Sequence, residues 1–220
     1  MRTLLLCAAV SCVLVAAAPV HASPACSSYA YAGVQTQRPV HGVSAAITAL
    51  QAPDVKDGHV AGWVGIASKN ADGWIQVGLS ALPGASTNDV YVEYAAPGRD
   101  PQYTVLRADV SVGERHRFAV SELGSRPGWW QTSVDGSPAG RAVFLPGSHG
   151  RWRAQVLGES WNDDSGACNA YSYAFSGVAF ARASNHHWAA LRGFSSFEDP
   201  GYTLTWRSAS HFVASTRTAH

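Results

Sequence analysis

"GWIQVGL", residues 73–79, sets the reading of the whole chain. Trp74, Ile75, Val77 and Leu79 are the aromatic and bulky aliphatic residues that a strand accepts on its pleated surface. Gly73 opens the stretch and Gln76 interrupts it. A glutamine amide is costly to bury unless its donors and acceptor are paired. In a strand the side-chain period is two, so Trp74, Gln76 and Gly78 share one face.

Segments of the same type recur on both sides of this one, separated by Gly, Pro, Asn and Asp. Upstream lie "YAYAGVQ" (29–35), "GVSAAITAL" (42–50) and "VAGWVGIAS" (60–68). Downstream lie "VYVEYAA" (90–96), "YTVLRADV" (103–110), "HRFAVSEL" (116–123) and "WWQTSVDG" (129–136). They are followed by "RAVFLPG" (141–147), "RWRAQVLGESW" (151–161), "AYSYAFSGVAFA" (170–181) and "TLTWRSA" (203–209). Short strands at this spacing predict an all-β chain, an antiparallel β-sandwich of the jelly-roll type seen in concanavalin-like lectins. "VDGS" (134–137) is a tight-turn signal, and "SVGERHRFAV" reads as a turn feeding a strand. "SAAITALQ" has the composition of a helical turn but is read as a strand, because no segment carries a helical period of useful length. No repeat, low-complexity run or linker divides the chain, which predicts one domain over residues 23–220.

The composition agrees with a folded globular protein: of 220 residues, 46% are hydrophobic and 14% charged. A formal charge of +1 offers no basic footprint for nucleic acid. At the N-terminus Arg2, the apolar "LLLCAAVSCVLVAAA" and the small-x-small "VHA" predict a signal peptide over residues 1–22 and an exported protein. That apolar run is short for a membrane span, and nothing later approaches one. Cys7 and Cys12 leave with the leader. Cys26 and Cys168 remain, and in an exported chain two cysteines read as one disulfide closing a long loop. Cys12 and Cys26 lack lipoprotein surroundings, and no N-x-S/T sequon is present.

Most familiar chemistries have no signature here. There is no G-x-S-x-G, Walker motif, H-E-x-x-H or paired C-x-x-C. His186 and His187 are adjacent, and strand neighbours point to opposite faces, so a surface loop is expected there rather than a metal site. No metal or cofactor is expected. The eight tryptophans are read mainly as core and rim residues, although such rings also stack on sugars.

The question raised by Gln76 repeats in "AQVLGESWN" (154–162), where Gln155, Leu157, Glu159 and Trp161 fall on one face. In "VYVEYAAP" it is Tyr91, Glu93 and Ala95. Polar side chains beside aromatic ones on three strand interiors suggest a sheet face that lines a groove. The alternative is a plain solvent-facing side, which antiparallel sheets often have.

The ordered set of segments resembles the eqolisin family of glutamic peptidases. "WVGI" (63–66), "IQVG" (75–78), "YVEYAAP" (91–97), "SVGE" (111–114), "AQVLGES" (154–160) and "FSGVAFARA" (175–183) follow the family's order over nearly all of residues 23–220. The resemblance implies a secreted β-sandwich endopeptidase with Gln76 as catalytic glutamine and Glu159 as catalytic glutamate. It places Trp63 and Glu93 near the groove, and Trp74 and Trp161 are expected to help shape it for a polypeptide substrate. Three departures stand out: Ala67 and Gln155 replace family acids, and Tyr94 replaces a tryptophan. The chemistry suits the pair, since peptide hydrolysis needs a base for water and a donor for the developing oxyanion. Glu159 would take and return the proton while the Gln76 amide serves the oxyanion and orients the water. Two other readings remain open: a non-catalytic polymer-binding module using the same groove, and a glycoside hydrolase with Glu93 and Glu159 as its carboxylates. A monomer is expected.

Overall fold

A computed structural model describes residues 26–183 and 187–216; the predicted signal peptide and His186 lie outside the described residues. Every element among the described residues is a strand. The first five are β1 (Tyr29–Thr36), β2 (Gly42–Ala49), β3 (His59–Ala67), β4 (Trp74–Ala81) and β5 (Asn88–Ala95). Next come β6 (Gln102–Val110), β7 (Arg115–Glu122), β8 (Trp129–Val134), β9 (Ser137–Phe144) and β10 (Arg153–Trp161). The last five are β11 (Ser172–Ala181), β12 (Trp188–Ala190), β13 (Phe194–Glu198), β14 (Tyr202–Ser208) and β15 (His211–Thr216). They form two antiparallel sheets packed as a sandwich. One runs β13-β1-β10-β3-β4-β5-β6, the other β14-β15-β11-β2-β7-β8-β9, with β12 pairing β11.

The period-two pattern accounts for the layers. On the seven-stranded sheet Val60, Val64, Ile66, Ile75, Val77, Leu79, Ala154 and Val156 point inward. They meet Val43, Ala45, Ile47, Phe118, Val120, Tyr173 and Phe175 from the eight-stranded sheet. The intervening residues Ala61, Trp63, Gln76, Leu157 and Glu159 therefore face away from this core. The alanine-rich segment 42–49 is a strand because it is sandwiched between β11 and β7, where small residues admit the facing aromatic rings.

Two details correct the sequence reading. The segment placed at 141–147 belongs to β9, which already begins at Ser137. Asp135 (φ 51°) and Gly136 (φ 83°) both adopt positive φ, and this two-residue turn pairs Val134 directly with Ser137. Strands β12, β13 and β15 were not anticipated. They are short, and β12 and β13 are largely exposed, so neither hydrophobic alternation nor length announces them. A disulfide joins Cys26 to Cys168, 142 residues apart, with the two Cα atoms 5.3 Å from each other.

Candidate active site

Strands β4, β3 and β10 lie side by side, and their register carries the site. Gln76 pairs with Gly65 on β3, which pairs with Gln155 on β10. Four residues back along β3, Ala61 pairs with Glu159. Trp63 sits between the two rows, opposite Gly78 on one side and Leu157 on the other. A Cβ on Gly78 would stand 2.1 Å from the Gly62 carbonyl and against Trp63, so only glycine fits there. Ala61, Trp63, Tyr91 and Leu157 form a small apolar cluster of their own, with Tyr31 and Phe197 packed on it. Trp63, Leu157, Tyr31 and Phe197 of this cluster line a cavity of about 500 Å³. Its walls include Gln76, Glu93 and Glu159 as well as His59, Trp63 and Trp74.

Glu159 is 5% exposed, and both carboxylate oxygens are engaged. Oε2 accepts the Trp63 indole N–H at 2.6 Å, and Oε1 lies 3.2 Å from His59 Nε2. An indole nitrogen can only donate, so Oε2 is fixed as an acceptor. Oε1 is the oxygen that faces His59. The local fold holds this histidine in place. Asn169, fully buried, accepts the Lys56 backbone N–H and donates to the backbone carbonyls of Asp57 and Trp161. It thereby ties the approach to β3 to the end of β10. Gly58, at φ 67°, lets the chain pass where a Cβ would stand 2.2 Å from the Trp161 carbonyl.

Gln76 is 7% exposed, and its amide nitrogen donates to the Tyr91 hydroxyl at 3.1 Å and to Glu93 Oε2 at 2.9 Å. Both amide hydrogens thus have acceptors in the resting site. In the resting site the amide presents its carbonyl oxygen, and an N–H reaches an oxyanion only by leaving Glu93 or Tyr91. Burial raises the Glu93 pKa above the usual carboxylate value, and the nearby Glu159 charge raises it further; His59 and the Gln76 hydrogen bond act the other way. Burial and the same two carboxylates also push the Tyr31 hydroxyl far above its ordinary range.

The remaining sequence-derived residues fall around this centre. Trp74 lines the cavity. Trp161 shares its face but packs beside it, stacked on Tyr29 with centroids 5.9 Å apart and tilted against His59 at 5.4 Å. Ala67 and Gln155 both line the cavity. Gln155 donates to Gln35 at 3.0 Å. The sequence reading missed His59, although its position two residues before Ala61 and four before Trp63 puts it on the same face. It also missed Tyr91 as the partner of Gln76.

No protein-family model and no curated protein matches the sequence. Solved structures do match the fold. Scytalido-glutamic peptidase, crystallised with a peptide-based transition state analog, superposes with a TM-score of 0.62 at 16% identity over 86% of this chain and 98% of that one. SCP-B, a member of the eqolisin family of peptidases in complex with the tripeptide Ala-Ile-His, superposes with a TM-score of 0.58 at 13% identity over the same shares, 86% and 98%. The chain thus has the eqolisin glutamic-peptidase fold, a two-sheet antiparallel sandwich.

Proposed function

We propose that this protein is an exported endopeptidase that cleaves polypeptides with Glu159 and Gln76. The observation that supports this most directly is that an amide and a carboxylate from distant strands line one cavity, on the fold of two peptidases captured with peptide ligands. Glu159 Oε1 accepts a proton from water as the water oxygen bonds to the scissile carbonyl carbon. The carbonyl π-electrons move onto its oxygen, where a Gln76 N–H released from Glu93 or Tyr91 stabilises the charge. Glu159 then returns the proton to the amine nitrogen as the C–N bond breaks. His59, facing the protonated oxygen, holds the carboxyl in the orientation for both transfers. The domain spans residues 23–220 and acts as a monomer without a cofactor.

The test is cleavage of denatured casein across acid to neutral pH by the wild type, Glu159→Gln and Gln76→Ala. Loss of cleavage in both variants with unchanged circular dichroism is expected; parental rates in both would overturn the mechanism. A second reading, a polymer-binding module, draws on the aromatic row at the rim, where Tyr29 stacks on both Tyr31 (6.1 Å) and Trp161 (5.9 Å). Retention on insoluble polysaccharide without casein cleavage would select it.

A further inference from the structure

A second buried carboxylate lies away from the groove, at one end of the sandwich. In β7 the core-facing positions are Phe118, Val120 and then Glu122, so an acid stands where the alternation calls for an apolar residue. Glu122 has 0% exposure. Next to it across the sheet, His41 precedes β2, and its carbonyl accepts the Glu122 backbone N–H at 2.8 Å. His41 Nδ1 lies 2.5 Å from Glu122 Oε2, and His149 Nδ1, from the β9–β10 loop, lies 2.8 Å from Oε1. The two imidazoles meet edge to face at 5.5 Å.

We propose that His41, Glu122 and His149 form a divalent-metal site suited to Zn²⁺. Two imidazole nitrogens and one carboxylate oxygen are a donor set that zinc takes, with a water completing the tetrahedron. The three ligand atoms lie within 4.8 Å of one another. Ligands bonded at about 2.0–2.2 Å to a tetrahedral zinc stand roughly 3.3 Å apart, so the two histidine–carboxylate contacts of 2.5 and 2.8 Å lengthen by less than about 1 Å to admit the ion, while the widest pair closes by up to about 1.5 Å. The half-exposed His149 ring, 54% accessible at its side chain, leaves a way in and a place for the water.

The surroundings hold the ligands in place. The Gly128 N–H donates to Glu122 Oε1 at 2.6 Å and fixes the carboxylate plane. Beside His149, the fully buried Ser148 accepts the Trp130 indole N–H at 2.8 Å and donates to the Leu145 carbonyl at 2.7 Å, so this loop is anchored from below. The metal would join the start of β2, the end of β7 and the loop that leads into β10. No local motif announces such a site, because its ligands come from three separate segments.

The test uses the full chain stripped with a chelator and titrated with Zn²⁺ alone, reading heat of binding and thermal midpoint. One equivalent should bind, and saturation at about 100 times Kd should raise the midpoint by roughly 6 °C. His149→Ala and His41→Ala should weaken binding by more than the roughly 10- to 100-fold that changes outside the ligand shell produce, and should remove the thermal shift. His59→Ala should change neither, which separates this site from the groove. Absence of a zinc-dependent shift in the wild type would overturn the proposal and leave a histidine–carboxylate ion pair. Binding that survives His149→Ala, or that is lost with His59→Ala, would overturn it as well.

Discussion

Glu159 and Glu122 are both buried glutamates with histidine partners, yet their surroundings differ. Glu159 is held by one indole N–H and one histidine on the wall of an open cavity. Glu122 is held by two histidines and a backbone N–H at the end of the core layer. The first lines a cavity that a substrate can enter. In the second, the oxygens bond strand β7 to its neighbours. Burial of a carboxylate therefore does not identify a catalytic group; what the oxygens face does.

This contrast fixes how the two residues respond to mutation. Glu159→Gln should lower kcat for peptide cleavage by at least about 10³-fold, at the upper end of general acid–base effects, with the thermal midpoint within about 2 °C of wild type. Glu122→Ala should do the reverse. It leaves two imidazoles at a hole in the core layer, at a cost of about 3 kcal/mol, and the midpoint should fall by about 7 °C while kcat is retained. Should Glu159→Gln destabilise the protein as strongly as Glu122→Ala, the distinction fails.

His59→Ala should lower kcat by about tenfold and alter the pH–rate profile with little loss of stability, since it releases the oriented oxygen of Glu159. His59→Gln, which keeps a donor, should recover much of the rate; equal losses in both variants would assign His59 to packing alone. The smallest effect is expected at Glu93. Its folded pKa is raised above 4.5, so the native state holds its proton longer than the unfolded chain does. The stability it contributes is present below the unfolded value and is lost as pH rises through the folded value. Glu93→Gln keeps an acceptor for the Gln76 amide and removes this loss. The variant should therefore melt above wild type at neutral pH and match it at pH 3, as paired melting curves would show.

Much of this was legible in the chain itself. Alternation in "GWIQVGL" and "AQVLGES" assigned Gln76 and Glu159 to strand faces without any knowledge of their neighbours, and the same period gave Trp63 and Trp74 their side. Two lone cysteines in a chain with a leader-like N-terminus were enough to pair Cys26 with Cys168. The less readable parts are those where side chains do not alternate. The segment "FSSFE" is mostly exposed, and β9 starts earlier than its apolar residues suggest, because a two-residue turn sets its beginning.

Side-chain period is a local property with a repeat of about 3.3 Å per residue, so it is written into each strand separately. Which strands lie together, and in what register, depends on backbone hydrogen bonds and core packing between segments far apart in the chain. That long-range choice inserts β3 between β4 and β10, turns His59 toward Glu159, and commits the Gln76 amide to Tyr91 and Glu93. It also brings His41 and His149 to Glu122, a grouping that no spacing along the chain encodes.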